Sequence, residues 1–290
     1  MNFLKSIERA VSRIKQRRII RLVLDKYGQQ QMVDKYKDIS IRSEKIGENS
    51  PIWVCWWQGE EQMPEVVQVC YQSIKEHAGK HPVILITSSN QDVYLNIPEL
   101  IRCKYEEGKI SRTHYSDIAR MYLLKEYGGI WMDITNFLTQ EVVQFVDIHR
   151  SYWTCRHITP YNNVSRGLWT SYFSASGKNH LIPSYIYDSL IHWWSENDTI
   201  IDYLLMDYVF KIGYDMIPAF KAEIDSIPLI QIGMLRKVLC KEFDLKEWDY
   251  YCGQAGFHKL SYKKYTDKCT EKGKKTHYAY LLEQYCGIVK

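Results

Sequence analysis

The sequence predicts an α/β protein built on a parallel sheet, and three observations carry that prediction. Short apolar runs bounded by Gly and Pro alternate with segments of helical period, as at 52–57, 65–77 and 82–87. The connections between them are short, as strand–helix–strand units require. The chain also has 290 residues, 46% of them hydrophobic and 25% charged, enough for a full-sized core. The composition excludes disorder, collagen and coiled coil as overall descriptions.

The first segment places Phe3, Leu4, Ile7, Val11 and Ile14 three or four residues apart, with Lys5, Arg9, Arg13 and Arg17 on the other faces. This predicts a basic amphipathic helix, either packed on the body or lying in an anionic membrane surface. Residues 27–50 are polar and punctuated by Gly28 and Gly47, and read as a lead-in. Ile52–Trp57 is short enough for a buried strand. Gly59 and Pro64 then break the chain, and Glu65–His77 follows as a helix with Val66, Val69, Cys70 and Ile74 inward. Pro82–Thr87 predicts a second strand and Ile101–Lys104 a short third. Thr113–Tyr127 reads as a helix with an Ile118, Met121 and Leu124 stripe, ended by Gly128 and Gly129, and Ile130–Ile134 returns as a strand. Beyond 150 the pattern loosens: a strand over Trp169–Ser174, helices over Leu181–Ser195 and Ile200–Ile212, and aromatic-rich connections. The organisation expected is 1–50, 51–150 and 151–290.

The net charge of +4 hides its distribution. Residues 1–24 carry +6, residues 256–290 carry +5, and the middle carries −7. A nucleic-acid channel would run its basic stripe through the folded body, so that class is disfavoured. Two basic ends fit contact with something anionic. The eight cysteines show no close metal spacing and predict reduced thiols. With no apolar run of about 20 residues and no secretory leader in the opening residues, a cytoplasmic chain is expected. Nine Trp and 23 Tyr suit stacking of sugars or bases, although packing alone accounts for many aromatic residues.

The densest chemical signal is HYSDIARMYLLKEYGGIWMDITN, from His114 to Asn136. Asp117 and Arg120 are three apart and share a helix face. Asp133 follows a buried strand at its carboxyl end, where open α/β sheets bind ligands. A carboxylate there suits a hard cation such as Mg²⁺ or Mn²⁺ bridging a diphosphate. By pattern alone, a helix-surface ion pair and a turn-capping aspartate account for the same residues.

The block SDIAR…LLKEYGGIWMDIT resembles the glycosyltransferases with a DXD sugar-binding region. It is most similar to their capsular polysaccharide synthesis branch, which reads SD-x-x-R and then L-x-x-x-GG-[IV]-[WY]-x-D-x-[TD]. The opening IWVCWWQGEEQMPEVVQVCYQSI is similar to that family's first strand, W-x-G turn and helix. Residues 50–140 carry the resemblance well, and YFSAS and HKLSYKK extend it thinly. It implies a GT-A fold, with a Rossmann-like half that binds a nucleotide sugar and a half on the acceptor side.

Carried over by position, Trp56 would stack on the base, with Gly59 in the turn beside it and Ser116 opening the SD motif. Asp117 would bond sugar hydroxyls, and Arg120 would touch sugar or diphosphate. Asp133 would be the first DXD aspartate, meeting ribose and metal. Thr135 stands where a second carboxylate is expected, which weakens a cation site. His258 in HKLSYKK is the candidate further metal ligand, with Lys259, Lys263 and Lys264 beside it. Asp202 and Asp207 are candidates for an acceptor base, although two carboxylates five apart on a helix usually mean exposed charge. A retaining enzyme needs no such base.

The resemblance thus implies a hexosyl transfer, with Mn²⁺ or Mg²⁺, from a nucleotide-diphosphate sugar (a UDP-sugar first) to a capsular or surface polysaccharide acceptor, taken as lipid-linked. The basic helix would then seat the chain peripherally on the inner face of the plasma membrane. The alternative is a non-catalytic nucleotide-sugar or glycan-binding protein whose metal site is degenerate at Thr135. A phosphotransferase is disfavoured because Gly128-Gly129 is not followed by GK[ST].

Overall fold

The computed structural model describes residues 2–26, 28–39, 44–159, 163–264 and 267–286, with backbone alone for 2–9, 26 and 286. In chain order, helices α1 (Asn2–Lys26) and α2 (Gln29–Tyr36) precede strand β1 (Ile52–Cys55), helix α3 (Glu65–Glu76) and strand β2 (Val83–Ile86). Helices α4 (Gln91–Tyr94), α5 (Glu99–Glu106) and α6 (Arg112–Glu126) follow, then strands β3 (Gly129–Met132), β4 (Asn136–Leu138), β5 (Tyr152–Thr154) and β6 (Phe173–Ser176). The remainder comprises α7 (Leu181–Glu196), α8 (Leu205–Met216), α9 (Pro218–Ser226), α10 (Leu245–Cys252), strand β7 (Phe257–Lys259) and α11 (His277–Cys286).

These elements sort into two compact units, each assembled from three stretches of chain. One takes residues 1–46, 94–129 and 149–229; the other takes 47–93, 130–148 and 230–290. The linear divisions at 50 and 150 therefore fall close to crossings between units, but neither unit is continuous in sequence.

The second unit holds the parallel strands. β1 pairs in parallel with β2, Ile52 opposite Val83 through Cys55 opposite Ile86. On its other edge it pairs in parallel with β3, Ile52 opposite Ile130 and Trp53 opposite Trp131. Parallel neighbours need a crossover, and α3 supplies the one from β1 to β2. Val66, Val67, Val69, Cys70 and Ile74 form its buried stripe. Ser73 on the same face accepts the Leu138 N–H at 3.0 Å and donates to the Cys70 carbonyl at 2.7 Å, so its buried hydroxyl is satisfied in both senses. β4 pairs antiparallel with β7, Asn136 opposite Lys259 and Phe137 opposite His258.

The first unit is mainly helical. α6 packs on α7, α7 on α2 and α8, and α8 on α1 and α9; β5 and β6 form an antiparallel pair. Ser111 caps α6 by accepting the His114 N–H. Gly128 ends that helix at φ +68°, where an added Cβ would lie 2.8 Å from the Lys178 nitrogen and 2.9 Å from the Ser176 carbonyl oxygen. Only glycine fits there.

Three local expectations change. Residues 99–106 are helix, not strand: Pro98 starts the turn, and Ile101 and Lys104, three apart, share the buried face. The Lys104 ammonium is held by the Trp194 and Asn197 carbonyls at 2.6 and 3.0 Å. The lead-in contains α2, whose Gln29, Val33 and Tyr36 are buried, and Gln29 donates to the Ser189 carbonyl at 2.8 Å. In α1 the buried residues are Ile19 and Val23, whereas Val11 and Ile14 are 60% and 65% exposed. Phe3, Leu4 and Ile7 of the expected stripe have side chains outside the described residues. Among the described residues no helix is long and apolar enough to cross a membrane. Cys55, Cys70, Cys103, Cys155, Cys240, Cys252 and Cys269 are free thiols.

Candidate active site

In the second unit, β1 and β3 run side by side and both end at the same edge of the sheet. Their register, continued, sets Asp133 level with Cys55, one residue before Trp56. Trp56 is half-buried, its indole N–H donating to the Gln62 carbonyl at 3.3 Å and its ring meeting Tyr262 edge to face at 5.4 Å. Gly59 completes the turn at φ +89°, its N–H on the Trp56 carbonyl at 3.0 Å. A half-open aromatic ring at the carboxyl edge of parallel strands is a stacking surface in the position where such sheets bind nucleotides.

Asp133 is fixed from both sides. Trp131 donates its indole N–H to Oδ1 at 3.1 Å, and Lys259 places its ammonium on Oδ2 at 2.8 Å. The same ammonium reaches the Thr135 hydroxyl at 2.7 Å. The local fold dictates this meeting: β4 and β7 pair, and the ladder continues with the Leu260 N–H on the Thr135 carbonyl at 2.9 Å. Asp133, Thr135 and Lys259 thus form one polar cluster, and the register of β1 and β3 sets Trp56 one residue beyond the level of Asp133.

His258, expected as a metal ligand, does not join it. Successive strand residues point to opposite faces, so Lys259 facing Asp133 turns His258 into the core. His258 is fully buried beside Phe137, and its Nδ1 accepts the Leu235 N–H at 3.3 Å. Burial pushes its pKa from the ordinary 6.5 to about 4, against a smaller opposing effect of the Cys252 carbonyl. It is a neutral packing histidine.

The expected divalent cation fares the same way on its donors. Mn²⁺ and Mg²⁺ want several oxygen ligands, carboxylates first. Here one carboxylate and one hydroxyl share a lysine ammonium. Among the described residues no three His, Cys, Asp or Glu side chains gather as a metal-holding group. The donor set does not fit a divalent ion; it already contains a cation of its own.

In the first unit, Asp117 and Arg120 do lie together, 3.5 Å apart on α6. Arg120 is only 5% exposed, and its guanidinium also donates to the Ser171 carbonyl. Its charge pulls on the carboxyl of Asp207, whose pKa is nonetheless raised by burial. Asp207 accepts the indole N–H of the fully buried Trp169 at 2.9 Å. Asp207 is therefore a half-buried partner of Trp169 near Arg120 rather than exposed charge. Asp202 pairs with Lys15 at 2.8 Å and accepts the Leu204 N–H at 3.0 Å, which makes it a capping residue. Ser116 donates its hydroxyl back to the Arg112 carbonyl at 2.8 Å on the helix.

The family model described as capsular polysaccharide synthesis protein matches residues 2–281. The chain belongs to that family. Among solved structures, a PaToxG glycosyltransferase is similar over 75% of this chain and 83% of that one, at 14% identity and a TM-score of 0.46. No curated protein sequence matches the chain. In this capsular polysaccharide synthesis protein the aromatic load is spent mostly on packing. Trp131, Trp153, Trp169, Trp193 and Trp194 are fully buried, and Trp56 is the half-open ring among the site candidates. The residue least visible in sequence is Lys259. It reads as one more lysine in a basic stretch, and only the β4–β7 register singles it out.

Proposed function

We propose that the protein is a glycosyltransferase of GT-A type that moves a hexosyl group from a nucleotide-diphosphate sugar, a UDP-sugar first, to a polysaccharide or lipid-linked saccharide acceptor in capsule synthesis. Family membership supports the pathway. The observation that carries the chemistry is the Lys259 ammonium bonded to Asp133 and Thr135 at the carboxyl edge of β1 and β3, beside the open ring of Trp56.

In this reading the base stacks on Trp56 and Asp133 accepts ribose hydroxyls. The reaction breaks the bond from the anomeric carbon to the diphosphate oxygen and forms one to an acceptor hydroxyl oxygen, which gives up its proton. Negative charge builds on the departing diphosphate, and a fixed cation at that point lowers the barrier. Lys259 supplies it: held by Asp133 and Thr135, it needs no reorganisation as the bond breaks. The sugar and diphosphate roles of Asp117 and Arg120 rest on the resemblance alone. The exposed Val11 and Ile14 on a basic helix support a peripheral seat on an anionic membrane.

The test is donor hydrolysis and transfer over a panel of nucleotide sugars, with Mn²⁺ or with EDTA. Turnover is expected to persist in EDTA and to fall about 100-fold or more in Lys259→Met and in Asp133→Asn. Full activity in Lys259→Met sinks the assignment, and an absolute need for Mn²⁺ restores the metal-dependent expectation. The poor metal donors and Thr135 also favour a second reading, a non-catalytic nucleotide-sugar-binding protein; donor binding without turnover of any sugar selects it.

A further inference from the structure

A groove of about 500 Å³ lies in the first unit, between α1, α8 and the segment containing Val164 and Arg166. Arg13, Arg17 and Arg21 line one wall. Their four-residue spacing stacks them one helical turn apart on a single flank of α1. Arg166 faces them from the opposite segment.

Five cations and two carboxylates line the groove. The fifth cation, Lys211, is already paired with Asp215 four residues on. None of the four arginines makes an ion pair among the described residues, whereas Lys15 on the same helix is bound to Asp202. With Asp215 paired to Lys211, four guanidiniums face Asp25 alone, and the net positive charge left in the hollow favours an anion. Guanidinium is also the side chain best matched to phosphate, which it binds through paired N–H donors.

Of the remaining lining residues Gln16 is polar, and Ile20, Leu24 and Val164 are apolar. Ile20 and Leu24 lie between the arginines on α1, and Val164 adds to the floor. A free phosphate would use the arginines and leave these side chains in water. A phosphorylated lipid would use both, its head among the guanidiniums and its chain along the apolar flank.

We propose that this groove binds the phosphoryl headgroup of a lipid, clamped by Arg13, Arg17, Arg21 and Arg166. The site is read by binding alone, with no sugar donor present, so it stands or falls separately from the transferase assignment.

The full chain is titrated calorimetrically with farnesyl diphosphate, farnesol and inorganic pyrophosphate at about 0.15 M salt. Farnesyl diphosphate is expected to bind about tenfold or more tighter than pyrophosphate, and farnesol not measurably. The double substitution Arg17→Gln/Arg21→Gln should weaken farnesyl diphosphate by about tenfold or more, two charge-assisted contacts being lost. Lys237→Gln/Lys272→Gln, which removes the same charge from exposed positions elsewhere, should not. Both doubles alter exposed side chains, and equal thermal midpoints confirm that they fold. Equal affinity for pyrophosphate overturns the lipid assignment in favour of a free phosphoanion. Equal loss in both doubles, or no binding by the unsubstituted chain, removes the site. A single-stranded oligonucleotide bound as tightly, with the same dependence on Arg17 and Arg21, replaces the lipid with a nucleic acid.

Discussion

His258 decides between two roles, and its titration separates them. In the fold its imidazole is neutral down to about pH 4, while in the unfolded chain it takes up a proton near 6.5. The folded pKa is the lower one. The neutral, buried state therefore costs nothing above pH 6.5 and destabilises the fold progressively as the pH falls towards 4. Each pH unit is worth about 1.4 kcal/mol, so between pH 7 and pH 5 this one side chain costs about 2 kcal/mol. Below pH 4 the full cost is about 3 kcal/mol. The perturbation is His258→Phe, which keeps a ring beside Phe137 and removes the proton. The assay is urea unfolding at pH 7 and pH 5, followed by tryptophan fluorescence. The substitution itself sacrifices the Leu235 hydrogen bond at both pH values, so the quantity of interest is the change with pH. The unsubstituted chain should lose about 2 kcal/mol more than the variant over that interval. Identical pH dependence in the two proteins refutes the buried neutral histidine. So does Mn²⁺ stabilising the unsubstituted chain and not the variant, because that is the behaviour of a ligand.

Gly128→Ala places a Cβ against two backbone atoms of residues 176 and 178 in a left-handed conformation, and should lower stability by about 3 kcal/mol in a urea titration. Arg120→Ala leaves Asp117 and the Ser171 carbonyl without the buried guanidinium and should cost about 3 kcal/mol; a neutral effect would mean that the pair is exposed in solution. Asp207 titrates in the opposite sense to His258. Its folded pKa lies above the unfolded one, so its contribution is fullest at low pH and is lost as pH rises above about 4. Asp207→Asn keeps an acceptor for Trp169 and should gain stability relative to the unsubstituted chain between pH 4 and pH 6; a relative loss over that interval contradicts a raised pKa.

What the sequence disclosed depended on the range of the interaction. β1, β2, β3 and α6 are legible because each is set by a local period and by a break such as Gly59, Pro64 or Gly128. The position of Asp133 just past β3 is legible because the buried run that precedes it is local. The strand expected at 101–104 fails because four residues cannot distinguish period 2 from period 3.6, and Lys104 gives no hint that two distant carbonyls will bury it. His258 and Lys259 are the sharper case. Adjacent residues on a strand take opposite faces, and which one faces Asp133 is fixed by pairing with β4, more than a hundred residues earlier. Asp207 is hidden likewise: its partner Trp169 and the nearby Arg120 come from separate stretches, so charge spacing on α8 alone suggests exposure. The metal expectation rested on Asp133 at a strand end as well as on the resemblance, and Lys259, which bonds that carboxylate, lies in HKLSYKK, where the resemblance is thin.

The interleaving of the two units has a bearing on how the chain is made. The ribosome delivers Asp133 and Thr135 first, and the strand that brings Lys259 to them follows 126 and 124 residues later. Until then Asp133 lacks its counter-charge and β4 lacks its pairing partner. A nascent chain that has not yet reached β7 therefore carries Asp133 without Lys259, and the proposed catalytic pair is complete only once the β4–β7 ladder forms.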